Sequence, residues 1–319
     1  MVSDVNPVPT KSGVSYDRLM LTPTYRWWRP AFGAMVIVCG WLVATIIAVA
    51  PAQALNPDPE GVVSWSTLLA TNLSLAALVP ICLIVYSRLH RLPAGLLSSV
   101  QPGVRWRPLL MFAGIALAAD LALLAFALLM SVDLASEING PASDAAAVIA
   151  VALLTSPLQA AGEEYLFRGY LLQCLGAIVR NPWVAIVLTS VLFTMAHGVW
   201  PWESPALFAD RFAFGLVAGW LVLRTGGLEA GIAMHAVNNV VTFVFAALTD
   251  SVSDSLQAAD APVGLVVVDV IKFVAFGAAA VWLARRHKLR TEADPALLVE
   301  PARPAPGLPP GVPPGQRLV

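Results

Sequence analysis

The sequence has little charge, and this scarcity argues against an ordinary water-soluble protein. Charged residues make up 12% of its 319 residues and hydrophobic residues 58%, whereas soluble domains have about 25% charged and about 45–50% apolar residues. So few charges cannot cover a surface of this size in water, so much of the surface must face lipid. The formal net charge of −1 gives no sign of nucleic-acid binding, and we expect no such partner.

Cysteine is scarce as well, and several common motifs are missing. Cys39, Cys82 and Cys174 lie in apolar stretches without a CxxC pair, which argues against disulfides and cysteine-bound metals. No HExxH motif is present, so no single helix carries the usual zinc pair. We find no internal repeat, and this weighs against a transporter built from repeated halves.

Long apolar stretches are what the sequence has in abundance. A membrane-spanning helix needs about 20 apolar residues, and the hydrocarbon core leaves no partners for non-helical backbone. The sequence therefore predicts an all-α polytopic membrane bundle with about eight transmembrane helices. The predicted spans are Phe32–Ala50, Ser66–Tyr86, Leu109–Ser131, Ala145–Tyr170, Trp183–Gly198, Pro205–Leu223, Leu228–Leu248 and Val263–Ala284.

The distribution of lysine and arginine predicts the orientation of these spans. The loops after the first, third, fifth and seventh spans contain neither residue, although they contain acids. By the positive-inside rule, both termini are expected in the cytoplasm of a cell inner (plasma) membrane protein. The predicted organisation is a cytoplasmic segment (1–30), a transmembrane bundle (31–286) with its motifs in 145–248, and a disordered proline-rich cytoplasmic tail (287–319).

Ionisable residues inside the predicted spans need an explanation, because each costs about 2.5–3.5 kcal/mol on insertion scales. Glu163 and Glu164 are adjacent, and Glu164 is four residues before Arg168, which allows a salt bridge on one helix face. Glu163 points about 100° away and has no such partner. It is either a functional group in the bundle or a residue at the lipid headgroups.

Other polar residues have simpler interpretations. Asp269 and Lys272 are three apart and can pair. Asp120 is isolated, and we expect it to bond to a neighbouring helix rather than to join a functional cavity. Asp210 and Arg211 are adjacent and do not face each other, so the prediction is that each pairs with another helix.

Two histidines complete the candidate site. His197 ends the predicted fifth span, where an interfacial position is the simpler interpretation. His235 and Asn239 are four apart and share one face of the seventh span, which could also merely join two helices. Asn238 is rotated away from His235.

Together these residues resemble the CPBP family, the CAAX-protease and bacteriocin-processing membrane proteases. The motifs that carry the resemblance are Glu163-Glu164-x-x-x-Arg168, Phe193-x-x-x-His197 and His235-x-x-x-Asn239, in this order on separate predicted helices. Each motif alone is weak, but the set is specific. The resemblance covers about Ala145 to Leu248.

The resemblance implies an intramembrane endopeptidase and a role for each motif residue. Glu163 with His197 would activate the attacking water, His235 and Asn239 would stabilise the oxyanion, and Glu164 with Arg168 would support the site. It also implies a possible zinc ion on Glu163, His197 and His235, although we favour water activation without a tightly bound metal. The expected partners are the lipid bilayer and a membrane-associated peptide or protein substrate. A non-catalytic immunity or peptide-binding protein is the main alternative, followed by a transporter.

Overall fold

Long apolar helices make up most of the structure, as the sequence predicts. The computed structural model describes residues 13–55, 64–129, 143–179, 181–252 and 261–298. Its helices are α1 (Arg29–Leu55), α2 (Trp65–Ala76), α3 (Leu78–Leu89), α4 (Trp106–Leu129), α5 (Ala145–Glu164), α6 (Leu172–Val179), α7 (Pro182–Ala196), α8 (Pro205–Thr225), α9 (Glu229–Leu248) and α10 (Val263–Arg286). A π-helical segment, Tyr165–Leu171, joins α5 to α6, and short 3-10 turns occur at Tyr16–Arg18, Ala94–Leu97 and Pro295–Leu298.

The number of membrane spans agrees closely with the prediction. Within the described ranges, seven stretches are long and apolar enough to cross a membrane, with α2–α3 and α5–α6 each forming one stretch. The remaining predicted span, Trp183–Gly198, corresponds to α7, which has only 15 residues. At 1.5 Å per residue α7 is about 22 Å long, shorter than the hydrocarbon core of about 30 Å. His197 therefore follows a helix that is too short to span the membrane by itself.

Close packing and polar contacts fix α5 against α2. A Cβ atom at Gly162 would overlap the Leu75 carbonyl near the junction of α2 and α3. One turn before Leu75 in α2, the Asn72 amide donates to Thr155 Oγ1 at 2.9 Å and to Ser156 Oγ at 3.1 Å. Buried hydrogen bonds between spans are favourable because lipid offers no alternative partner. These contacts hold the helix that carries the two glutamates.

The segments that are predicted to lie on the cytoplasmic side of the membrane meet at one end of the bundle. Val14–Ser15 (β1) pairs antiparallel with Glu292–Ala293 (β2). Arg105, which precedes α4, forms a salt bridge of 2.6 Å with Glu229 at the start of α9. It also donates to the Arg290 carbonyl at 3.3 Å. Residues 14–15, 105, 229 and 290–293 therefore lie at the same end of the bundle.

The structure differs from the predicted boundary of the C-terminal tail. Residues 287–298 pack on the bundle because a few of their apolar side chains are buried at its end. Ala293 is 1% exposed and Leu298 is 6% exposed. The proline-rich remainder, 299–319, lies outside the described residues. So do Arg180 and the loop acids Asp58, Glu60, Asp133, Glu137, Asp254 and Asp260.

His90 follows α3 at this same end and is buried. Its Nε2 atom lies 2.9 Å from the Tyr170 hydroxyl. Burial and the nearby positive charge of Arg29 lower the pKa of His90 to about 4. The imidazole is therefore neutral at physiological pH, and its protonation opposes folding.

Candidate active site

The two glutamates lie on the last turn of α5, where the helix changes to the π-helical segment. Glu163 is 6% exposed and Glu164 is fully buried. The predicted salt bridge is present, with Arg168 Nη1 2.9 Å from Glu164 Oε1. A π-helical turn re-aims side chains relative to a regular helix and is common at functional sites. Here it contains Arg168, which the sequence alone placed on an ordinary helical turn.

Glu163 lies between the two histidines. Its Oε2 atom is 3.7 Å from His197 Nε2 and 3.5 Å from His235 Nε2. These histidines are 34 and 72 residues away in the chain. Glu163 Oε2 is buried and has no hydrogen-bond partner among the residues that the structure describes, so the three atoms face a common point. The structure thus brings together three of the four side chains to which the motifs assign catalytic roles.

Hydrogen bonds on the far side of each ring fix the orientation of both imidazoles. His197 Nδ1 lies 2.8 Å from the Phe193 carbonyl oxygen, and His235 Nδ1 lies 3.1 Å from Glu164 Oε1. A carbonyl and a carboxylate can only accept, so both Nδ1 atoms carry protons. In the neutral rings, both Nε2 atoms then offer lone pairs toward Glu163, as an acid–base site requires.

Aromatic rings surround this polar group. The Phe193 ring lies 4.4 Å from the His197 ring and 6.0 Å from the His235 ring, centroid to centroid. The Arg168 guanidinium lies 4.0 Å from the centre of Phe193 and 5.3 Å from that of Phe214. Phe193 belongs to a recognised motif, but Phe214 had no signal in the sequence. Apolar walls strengthen the electrostatic interactions of the charges that they enclose.

The local charge is nearly balanced when one imidazole is protonated. The ionised carboxylates of Glu163 and Glu164 carry two negative charges, and Arg168 carries one positive charge. A second proton on His235, at Nε2, would face Glu163 Oε2 at 3.5 Å, while Nδ1 keeps its bond to Glu164. This arrangement allows a proton to move between carboxylate and imidazole without leaving a net charge buried in an apolar surrounding.

Asn239 meets the glutamates through a residue that the sequence analysis did not single out. Its amide Nδ2 donates to Gln159 Oε1 at 2.9 Å, and Gln159 Nε2 donates to Glu163 Oε1 at 2.8 Å. Gln159 is four residues before Glu163, so the rule that such residues share a helix face could have identified it. Gln159 therefore connects Asn239 to Glu163, which in turn lies beside His197 and His235.

Asp120 is not part of this site. Lys272 lies 3.0 Å from Asp120 and 2.9 Å from Asp269, and it donates to Asn238 at 2.8 Å. This cluster joins α4, α9 and α10, as expected for Asp120 and for the Asp269–Lys272 pair. A cavity of about 10 Å³ beside the cluster is about the size of one water molecule.

The prediction for Asp210 and Arg211 is wrong. Arg211 Nη1 lies 2.7 Å from Asp210 Oδ2, so the two neighbours pair with each other. The long arginine side chain can bend back around the helix, which a rule based on helix faces does not consider. Asp210 is buried, whereas the Arg211 side chain is 38% exposed.

The site opens on the side of His197. The His197 side chain is 30% exposed, compared with 8% for Glu163 and 6% for His235. Gly198, with φ of 72°, follows His197 and turns the chain out of α7. Water or substrate reaching Glu163 would therefore pass His197.

The predicted zinc ligands are Glu163, His197 and His235. Among the side chains that the structure describes, no group of three histidine, cysteine or carboxylate residues is placed to hold a metal ion. Glu163 Oε1 is bonded to Gln159 and His235 Nδ1 to Glu164, so Glu163 Oε2 and His235 Nε2 are the atoms that a metal ion would contact. The zinc set of Glu163, His197 and His235 stays a prediction that metal analysis would test.

The fold and the site define a polytopic membrane helix bundle with a buried glutamate–histidine centre. Residues 145–241 match the family model described as "Type II CAAX prenyl endopeptidase Rce1-like". The resemblance inferred from the motifs is confirmed over this segment, which contains all of them. The chain is also similar to "Uncharacterized protein YyaK" of Bacillus subtilis (strain 168), at 32% identity over 108 residues. That match covers 33% of this chain and 36% of the relative.

Proposed function

We propose that this protein is an intramembrane endopeptidase of the CAAX-protease type, which hydrolyses a peptide bond in a membrane-associated substrate. The observation that carries the proposal is the position of Glu163 Oε2, which lies within 3.7 Å of two imidazole nitrogens and has no other partner. The similarity of residues 145–241 to the CAAX endopeptidase family supports the same reaction class. The proposed location is the cell inner membrane, with both chain ends in the cytoplasm.

In the proposed mechanism, Glu163 and His197 activate a water molecule. The carboxylate accepts a proton from water as the water oxygen bonds to the scissile carbonyl carbon. His197 Nε2 accepts a hydrogen bond from the same water, because its Nδ1 proton is held by the Phe193 carbonyl. The proton taken up by Glu163 then passes to the leaving amine as the C–N bond breaks.

His235 and Asn239 would stabilise the negative charge that develops on the carbonyl oxygen. His235 Nδ1 already donates to Glu164, so Nε2 can donate only when the ring is doubly protonated. Glu164 supplies the counter-charge for that imidazolium, and Arg168 holds Glu164. Asn239 uses one N–H on Gln159 and keeps the other. Removing one such donor typically costs about 10²–10³ in kcat.

Cleavage by purified protein in liposomes tests this function. The substrates are a farnesylated fluorogenic peptide that ends in a CAAX sequence and the same peptide without the lipid. Glu163→Gln and His197→Ala should each lower kcat by about 10²–10⁴. His90→Gln is the matched control, since His90 is a buried histidine outside the site and should retain cleavage.

Two outcomes would overturn the proposal. If Glu163→Gln and His197→Ala cleave as fast as the parent protein, the mechanism is wrong. If the parent protein cleaves neither peptide, and Glu163→Gln preserves its effect in cells, the non-catalytic alternative gains support. Metal content measured on the same sample tests the zinc prediction, because stoichiometric zinc that is lost together with activity would require a metal mechanism.

A further inference from the structure

Gln159 occupies a position between two of the motif residues, and no motif contains it. It lies one turn before Glu163 on α5 and is 7% exposed. Its amide N–H contacts Glu163 Oε1 at 2.8 Å, and its carbonyl oxygen accepts from Asn239 at 2.9 Å. One side chain therefore touches both the proposed base and a proposed oxyanion donor, which belong to different helices.

The chemistry of the carboxylate determines the direction of both amides. An ionised carboxylate only accepts, so Gln159 must present its NH₂ group to Glu163. Its oxygen then faces Asn239, and Asn239 must turn its own NH₂ group toward Gln159. The NH₂ group of Asn239 has two N–H bonds, and only one of them is used by Gln159, so the other is available.

Gln159 also determines which oxygen of Glu163 faces the histidines. Because Oε1 is bonded to Gln159, Oε2 is the atom that points to His197 and His235. Without Gln159, the carboxylate could rotate about its last side-chain bond, which has a broad torsional minimum.

We propose that Gln159 is a positioning residue, which holds Glu163 with Oε2 toward the two histidines and fixes the amide of Asn239. This proposal rests on the proposed peptidase function for its kinetic test, but its effect on Glu163 can be measured without any activity. Gln159 acts through Glu163 and Asn239 and does not itself touch the reacting atoms.

The kinetic test compares the full-length protein with Gln159→Met, which has a similar volume and no amide. We expect kcat to fall about 10- to 100-fold, as for a misplaced catalytic group, with KM changed less than twofold.

Gln173→Met is the matched control. Gln173 is also a fully buried glutamine in the stretch from α5 to α6, but it bonds to the Tyr86 hydroxyl and the Leu96 carbonyl, away from the site. It should lose stability without any change in kcat per folded molecule. Gln159→Asn, which stays polar but is too short to reach Glu163, serves if Gln159→Met does not fold.

Infrared spectroscopy at a single pH separates this proposal from the proposed function. The carboxylate stretching band of Glu163, identified by its loss in Glu163→Gln, should change frequency in Gln159→Met, because Oε1 loses its hydrogen bond to Gln159. A shifted band supports the positioning role even if no peptide is cleaved. An unshifted band would show that Gln159 only contributes to packing.

Discussion

Replacement of Arg168 by methionine should destabilise the protein, although Arg168 lies within a membrane helix where charge is costly. The Arg168 side chain is 1% exposed and its partner Glu164 is fully buried, with 2.9 Å between them. Removing one member of a buried ion pair leaves an uncompensated charge and costs about 3–5 kcal/mol. The lost contact with the Phe193 ring adds about 1–2 kcal/mol.

Two features of the pair reduce this cost. Among the residues that the structure describes, Arg168 Nε and Nη2 have no hydrogen-bond partners, so the methionine variant no longer buries two unsatisfied donors, each worth about 1–3 kcal/mol. His235 Nδ1 can still donate to Glu164. We therefore expect a net loss of about 2 kcal/mol for Arg168→Met and a similar loss for Glu164→Gln. The double variant should lose less than the sum, by about 2 kcal/mol or more.

Reversible unfolding in lipid bicelles, followed by tryptophan fluorescence, measures these free energies. Arg286→Met is the matched control, because Arg286 is exposed and lies 5.5 Å from the Trp282 ring. It should cost about 0.5–1 kcal/mol. If Arg168→Met costs no more than this control, or if the two single losses simply add in the double variant, the buried pair does not have the energetic role described here.

The remaining predictions concern packing and pH. Gly162→Ala should destabilise the protein by about 1–3 kcal/mol in the same unfolding assay, because the added methyl group overlaps the Leu75 backbone. Gly114→Ala is the control and should be neutral or stabilising, because a methyl group there meets open space. Equal losses at both positions would contradict the close approach of α5 and α2. The His90 imidazole has a pKa of about 4 in the folded protein and about 6.5 when unfolded, so the unfolded state binds more protons between these values. Stability should therefore decrease as the pH falls from about 6.5 to about 4, by up to about 3 kcal/mol. A His90→Gln variant should lack this part of the pH dependence when melting is followed across the pH range, and an identical dependence in both proteins would refute the assignment.

Several features of the site could be predicted because they depend only on helix geometry. The Glu164–Arg168 pair and the shared face of His235 and Asn239 follow from a spacing of four residues. Gln159 obeys the same rule toward Glu163 but was missed, because glutamine in a helix is not by itself a signal. The helix-face rule gave a wrong prediction for Arg211, because its flexible side chain reaches the adjacent Asp210.

The end of the bundle could not be predicted in this way. The two strands that join residues 14–15 to residues 292–293 have two residues each, too few for any periodic pattern. The Arg105–Glu229 salt bridge joins residues 124 positions apart, and nothing in either local sequence indicates the other. Such contacts form only after the helices have been placed beside one another.

The sequence by itself determined that the chain forms apolar helices, where most of them begin and end, and which polar residues share a face. These properties are local, because helical hydrogen bonds join residues four apart and lipid excludes other backbone structures. Only the tertiary structure decided that α5, the end of α7 and α9 are neighbours, and hence that Glu163 Oε2 faces both His197 and His235. That choice depends on side-chain packing between helices, such as the approach of Gly162 to the α2 backbone, which no single segment of sequence contains.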